Sequence, residues 1–458
     1  MVESPGPQPM SSTLSPGLRA VVGERRVAVR LRVRDDDRLE VLPDVEQGTV
    51  PGPVASTFSD ATLGSVIFGV SVSSGPATTR YPGPRGAEKT TIAPTQEDSQ
   101  MATSDGSPDP EALVERLFEG VLGMTDVYTV YMGDRLGIYE ALADGSSTEA
   151  EIAAATSTDP RYLREWLEQQ AVTGLIEVDD PSKPSDERRY ELPDRYAEVL
   201  VDRDDPSYMA AFARMMAGLV RPLPRVLEVF RTGEGIPYAA FDADFLEGQA
   251  EMNRVQFVNF LASEWMPSLP DVHERLKTGG RIADFACGAG WSTIALARAY
   301  PNAQVHGLDL DSASIELARA NAASEGIEIP FEVRDAADPG LSGRYDLVTC
   351  FEAVHDMARP VESLRGMRSL LADGGVLLIA DERVAEDFTA PADEVERLMY
   401  GFSLFHCLAV GRDEQPSAAT GTAMRPDTLR EYAEGAGFGR VEILPIENDF
   451  WRFYRLEG

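Results

Sequence analysis

The chain has 458 residues, 43% of them apolar, enough for two or three domains that each hold a core. Its formal charge of −34, with lysine only at Lys89, Lys183 and Lys277, argues against nucleic acid and anionic membranes as partners, since such a field repels both. No stretch approaches the roughly 18 apolar residues that cross a bilayer. Cys287, Cys350 and Cys407 form neither an even disulfide framework nor a C-x-x-C pair, which points to a reduced, cytoplasmic chain. A salt-adapted proteome and plain codon bias account equally well for the acidity.

In chain order, residues 1–108 recur in proline, glycine, serine and threonine without a sustained apolar period, and are expected to be a disordered extension. Arg25 to Val33, where basic and apolar residues alternate, is the exception and has the pattern of a short strand. Met101 stands just before the folded part and is an equal candidate for the start of translation.

From Pro110 the apolar positions 113, 117, 121, 124, 128 and 131 mark a helix. Ser147-Thr-Glu-Ala-Glu-Ile predicts a short capped helix. Asp159-Pro160 opens another, with the acid as N-cap and proline in the first turn. Gly174 to Val178 and Arg189 to Leu192 flank a polar turn, so residues 109–202 have the make-up of a winged helix. The helix that would enter a DNA groove carries Arg161 and Arg164 against Asp159, Glu165 and Glu168, and lacks the basic face DNA requires.

Residues 203–264 supply helical stretches with Tyr208, Met209, Phe212, Met215 and Met216, then Phe245, Met252, Phe257 and Phe260. Leu398, Met399, Tyr400, Phe402, Leu404 and Phe405 form a similar stripe later on. Such stripes serve as core more often than as pocket walls.

The most telling segment is Asp284-Phe-Ala-Cys-Gly-Ala-Gly290, which follows an apolar run and opens into the helical pattern of Trp291 to Tyr300. Glycines at 288 and 290 allow a tight turn and close approach to a ligand, and the helix start offers unpaired N–H groups. Gln304 to Asp309 reads as a second strand, ending in a carboxylate suited to two ribose hydroxyls. Phe331 to Ala336, Tyr345 to Asp356 and Gly374 to Asp381 read as three more, and Arg440 to Leu444 with Phe450 to Leu456 as an antiparallel pair. The turn lacks the G-x-G-x-x-G spacing of a dinucleotide site.

This progression resembles the class I S-adenosylmethionine-dependent methyltransferases over residues 265–458. The winged helix before it resembles the two-domain small-molecule O-methyltransferases. The resemblance implies an α/β fold, a seven-stranded Rossmann-like methyltransferase sheet preceded by an α-helical winged-helix domain. It implies S-adenosylmethionine as cofactor, with Asp284, Ala286, Gly288 and Gly290 under the methionine moiety and Asp309 on the ribose. Asp335 and Ala336 would meet the adenine, and Phe351 and Glu352 would lie beside the sulfonium. Ala286 replaces the family's first glycine, which narrows the site by a methyl group. The winged helix would form a homodimer, and the 203–264 helices with the insertion after the fifth strand would roof a pocket for a small hydrophobic or aromatic acceptor.

For chemistry, the family's His-Asp pair falls on His355 and Asp356, with His355 as general base toward a hydroxyl and Glu352 orienting it or the acceptor. His355 could instead only position, or cap the next helix. His406, on an apolar stretch, has the setting of a core histidine. No set of histidine, aspartate and glutamate shows metal-ligand spacing, so no metal is expected. Two other readings stay open. One is a regulator that senses the cofactor without catalysis; the other is methylation at nitrogen or carbon, which would make His355 a spectator.

Overall fold

The computed structural model describes residues 109–458 and, before them, four strands: β1 (Arg19–Val22), β2 (Arg25–Ala28), β3 (Arg30–Val33) and β4 (Leu39–Leu42). β1 pairs with β2 and β3 with β4, both antiparallel. β2 and β3 fall within Arg25 to Val33, the stretch whose alternation has the pattern of a strand. The disorder expected elsewhere in residues 1–108 lies outside the described residues.

α1 (Pro110–Arg135) starts where the Asp109 carboxylate accepts from the Glu111 N–H. α2 (Ile138–Ala143), β5 (Ser147–Thr148), α3 (Glu149–Thr156) and α4 (Pro160–Thr173) follow, then β6 (Glu177–Val178) and β7 (Arg189–Glu191). Thr148 and Glu151 form a reciprocal capping box on α3, and Asp159 caps α4 through the Arg161 and Tyr162 N–H groups. The three strands pair in the order β5-β7-β6, one more than the expected two-stranded wing. Tyr139, Leu142, Ile152, Leu163, Leu167 and Tyr190 are the buried centre of this layer. The Trp166 indole donates to the Thr129 carbonyl at 2.9 Å and fastens α4 to α1.

α5 (Asp194–Leu200), α6 (Ala210–Leu219), α7 (Leu223–Thr232) and α8 (Ala243–Gln256) lead, through a wider-wound helical stretch Phe257–Trp265, to α9 (Pro270–Thr278). Gly248 lets α8 close onto α6, since a Cβ there would lie 2.4 Å from the Met215 nitrogen. Arg214 of α6 pairs with Asp134 of α1 at 2.5 Å, both nearly without solvent, which ties the winged helix to this linker.

The main sheet then forms from β8 (Gly280–Phe285), α10 (Trp291–Ala299), β9 (Ala303–Asp309), α11 (Ser312–Ser324), β10 (Phe331–Val333) and β11 (Tyr345–Phe351). It continues with α12 (Pro360–Ser369), β12 (Leu371–Glu382), α13 (Glu394–Phe402), α14 (Leu408–Gly411), α15 (Pro426–Ala436), β13 (Arg440–Ile443) and β14 (Trp451–Glu457). The order is β10-β9-β8-β11-β12-β14-β13, parallel except for β14, which runs antiparallel to both β12 and β13. Residues alternate between two cores: Ile282, Leu347, Val376 and Leu378 face one layer, Ala283, Val348, Leu377 and Ile379 the other. Burial on both faces is why these strands read as continuous apolar runs.

Candidate functional site

Strand order reverses beside β8, and ligands of open α/β sheets bind at such a switch point beyond the strands' carboxyl ends. A cavity of about 710 Å³ lies there. Its floor comes from the turns after β8, β9, β10 and β11, and its roof from Tyr238, Leu246, Ala250, Asn253 and Phe257. Val410, Asp413 and Glu414, beyond β12, close one side.

The turn after β8 is built for close approach. Gly288 sits at φ +51 with nothing within 4 Å of a would-be Cβ, so its backbone faces open space. Gly290 (φ +81) is needed for packing instead, since a Cβ there would come 2.8 Å from that of Ala318. Ala286 also holds a positive φ of 53, the conformation that a glycine adopts at less cost.

Asp309 ends β9. Its two carboxylate oxygens accept from the Gly288 and Asp311 backbone N–H groups, each at 2.8 Å. Burial is the main cause that pushes its carboxyl up to about 6, against those two N–H groups, which favour the charge. One lone-pair direction per oxygen remains for hydroxyls of a ligand. Asp335 accepts from the Ala337 N–H at 2.7 Å and pairs with Arg359 at 3.1 Å.

At the other end, Glu352 holds a φ of 52, its carboxylate accepts from the Asn253 amide of α8, and it shares a hydrogen bond with Glu382. Burial is the first cause that raises both carboxyls; the charge of Glu352 adds to it at Glu382, whereas at Glu352 the hydrogen bonds from Asn253 and Glu382 oppose it. Asp356 lines the cavity, whereas His355 is only 2% exposed and is absent from the lining. His355 Nδ1 lies 2.7 Å from Asp381 Oδ1, and Nε2 lies 3.3 Å from Asp356 Oδ1. Burial opposes the charged imidazole, but the carboxylates of Asp381 and Asp356 outweigh it and hold the group well above its usual range.

Of the residues singled out in the sequence, Ala286, Gly288, Asp309, Asp335, Ala336, Phe351, Glu352 and Asp356 line the cavity. Asp284, Gly290 and His355 do not. The Asp284 carboxylate is fully buried and accepts from Ser292, Thr293 and Thr349, each at 2.6 Å, so it braces the turn from beneath. His406 is buried against Phe241, Phe245 and Tyr238, with burial pushing its imidazole down to about 4. Tyr238, Asn253, Asp381 and Glu382 were missed in the sequence. Only Asp381 left a signal there, as an acid at the carboxyl end of the fifth strand.

The contents of the cavity suit adenosylmethionine. A carboxylate with free lone pairs, an open glycine backbone and walls rich in acids match a ribose, an amino-acid tail and a cationic sulfur.

Comparison with known proteins agrees with this geometry. Residues 276–424 match the model of a methyltransferase domain, and residues 127–202 that of an Rv2258c-like winged HTH domain. An O-methyltransferase family protein from Burkholderia thailandensis is similar at 17% identity and a TM-score of 0.55, over 75% of this chain and 97% of that one. Human N-acetylserotonin methyltransferase in complex with SAM is similar at 18% and 0.56, over 77% of this chain and 99% of the other. Among curated relatives, the ubiquinone biosynthesis O-methyltransferase of Bordetella avium is 27% identical over 30% of this chain and 56% of its own length. That of Xanthomonas axonopodis pv. citri is 31% identical over 22% of this chain and 43% of its own. The chain thus spans about half the length of these curated relatives. The fold is the expected α/β one, a seven-stranded sheet whose segment 276–424 matches a methyltransferase domain, preceded by a winged helix.

Proposed function

We propose that this chain methylates a small, largely apolar or aromatic molecule at oxygen, acting as a homodimer. The observation that carries the reading is the single cavity that joins Asp309 at one end to Phe257, Leu246, Glu352 and Asp356 at the other. When bound, adenosylmethionine supplies an activated methyl group on a sulfonium. The residues then have to place an acceptor oxygen about 3 Å from that carbon and receive its proton.

Asp309 anchors the ribose, and Ala286 and Gly288 lie under the amino-acid tail. Phe351 and Phe257, with ring centroids 5.4 Å apart, give the acceptor an apolar surface. Asp356 faces the cavity while His355 stands behind it, clamped by Asp381. We read His355 as a positioning residue that fixes Asp356, the alternative to a general base that the sequence leaves open. Glu352 and Asn253 join the floor to the roof at the acceptor end.

The partner surface is α1. Leu113, Val114, Leu117, Phe118, Val121 and Leu122 are each 45–66% exposed on its first half. A monomer rarely leaves such an apolar patch open, and a second copy that lays its own α1 against it supplies the cover. A regulator of DNA is disfavoured, because Arg161 and Arg164 of α4 are paired with Glu165 and Glu149. The test is mass-spectrometric detection of methyl transfer over a panel of phenols, hydroxylated aromatics and amines. Products at phenolic or hydroxyl oxygen support the reading. Cofactor binding with no product across the panel, or products at nitrogen alone, overturns it.

A further inference from the structure

The acceptor end of the cavity holds two carboxyl groups that no basic side chain matches. Glu352 lines the cavity, while Glu382, at the end of β12, is 4% exposed, absent from the lining and hydrogen-bonded to Glu352. Among the described residues neither carboxyl pairs with an arginine or lysine. The Asn253 amide donates to Glu352, which favours the charge there and leaves Glu382 as the protonated member. Charges taken out of water are normally paired, so this one calls for a cation from outside the chain. We propose that this cation is the sulfonium of adenosylmethionine, and that Glu352, backed by Glu382, makes the cavity select the charged cofactor over its neutral product, adenosylhomocysteine. The proposal rests on the adenosylmethionine reading of the cavity.

Strand order puts the carboxylate in reach. β8 pairs with β9 on one side, Phe285 opposite Leu308, and with β11 on the other, Phe285 opposite Cys350. Asp309 and Glu352 therefore leave strands on either side of β8, two strand spacings or about 10 Å apart across the turn that carries Ala286 and Gly288. In adenosylmethionine a single methylene joins sulfur to the ribose. With its ribose on Asp309, the ligand places sulfur over that turn, and Glu352 is the acid on the far side.

The other charges around Glu352 do not neutralise it. From the turn after β11, His355 and Asp356 carry opposite charges 3.3 Å apart, and Asp381 of β12 faces the same imidazole at 2.7 Å. Those three groups together are negative. From the roof, α8 contributes the neutral Asn253, and the Tyr238 phenol is kept protonated by burial and by the acids around it. Methyl transfer breaks the bond between sulfur and the methyl carbon and leaves the electron pair on sulfur, so the product is a neutral thioether. The buried carboxylate then loses its partner, and the hold on the product weakens.

An opposite charge within about 4–6 Å lowers a carboxyl by about 1–3 pH units, and by linkage the affinity for that charge gains about 10- to 1,000-fold. The experiment is calorimetric titration of the full-length protein with adenosylmethionine, adenosylhomocysteine and sinefungin, an analogue with an amine-bearing carbon in place of the methylated sulfur. At about pH 8 the two cationic ligands should each bind at least about tenfold tighter than adenosylhomocysteine. Burial raises the Glu352 carboxyl, so this preference is present while the pair is ionised and should shrink as pH falls toward about 5, by at most about tenfold per unit. Asp309 drops out of the ratio, because all three ligands share the ribose. Glu352→Gln should bring adenosylmethionine and adenosylhomocysteine to equal affinity. Equal affinities in the wild type at that pH, or a preference that survives in Glu352→Gln, would overturn the proposal. A loss in Glu352→Gln that is the same for both ligands overturns it too, since it assigns the carboxylate to the tail ammonium that both carry. If Glu352→Gln does not fold, the wild-type ratio across pH decides alone. Failure of all three ligands to bind refutes the cofactor reading itself, and the proposal with it.

Discussion

Replacing Asp309 tests where the cofactor binds. Each of its oxygens already accepts one backbone N–H, from Gly288 and from Asp311, which leaves one lone-pair direction apiece for a ribose hydroxyl. A hydrogen bond to a charged acceptor is worth about 1.5–3 kcal/mol, and about 1.4 kcal/mol is tenfold in affinity. Asp309→Ala should therefore weaken adenosylmethionine binding at least about tenfold if one bond counts, and about a hundredfold if both do. Calorimetric titration with adenosylmethionine and adenosylhomocysteine reads this directly, and both ligands should lose affinity alike because they share the ribose. Asp309→Asn keeps an acceptor for one backbone N–H and controls for collapse of the turn. Unchanged affinity for both ligands would refute the placement.

The same carboxylate predicts a pH dependence. Its carboxyl is pushed up to about 6 in the empty chain, and hydroxyl donors favour its ionised form, so the bound form has the lower value. Affinity is then full above pH about 6 and falls as pH drops through it, by at most about tenfold per unit. For the empty fold the sign is opposite: a carboxyl raised above its unfolded value stabilises the fold only at low pH. That contribution is present below about pH 4 and is lost as pH rises through about 6. A dissociation constant that stays flat from about pH 5 to 7.5 would contradict the assignment.

Further outcomes are expected elsewhere in the molecule. Asp284→Ala strands the Ser292, Thr293 and Thr349 hydroxyls in a dry site and should cost roughly 3 kcal/mol in urea unfolding; undiminished stability would leave the brace without support. Leu117→Glu with Val121→Glu, both on the exposed face of α1, should convert a dimer to a monomer in sedimentation velocity; a wild-type monomer at micromolar concentration would remove the case for the interface. His355→Ala should lower turnover about a hundredfold while cofactor affinity stays within a few-fold, and His355→Asn should recover part of the loss by still donating to Asp381; wild-type turnover in His355→Ala would deny it a positioning role.

The sheet was legible because its signals are local. Apolar runs that end in Asp309 or Phe351, and glycines between strand and helix, follow from backbone chemistry within a few residues. The α1 stripe was legible as a helix but not as an interface, since a period of 3.6 marks an apolar face without naming what covers it. The roof left no motif. Asn253 reaches Glu352 across 99 positions of sequence, and no spacing rule connects them.

His355 shows how strand register supplies a partner that sequence neighbours do not suggest. In sequence its conspicuous partner is Asp356, the next residue. In the sheet β11 and β12 run parallel with Phe351 opposite Ala380, so the turn that leaves β11 passes over the end of β12, where Asp381 follows. Asp381 is 1% exposed and lies closer to the imidazole than Asp356 does, at 2.7 Å against 3.3 Å. The ring is thereby held behind the cavity wall, and Asp356 takes the place at the surface. A register shift of one residue would turn Asp381 to the opposite face of the sheet and release the imidazole. The division of labour proposed for His355 and Asp356 thus rests on the pairing of two strands, and no alteration confined to the His-Asp dipeptide can recreate it.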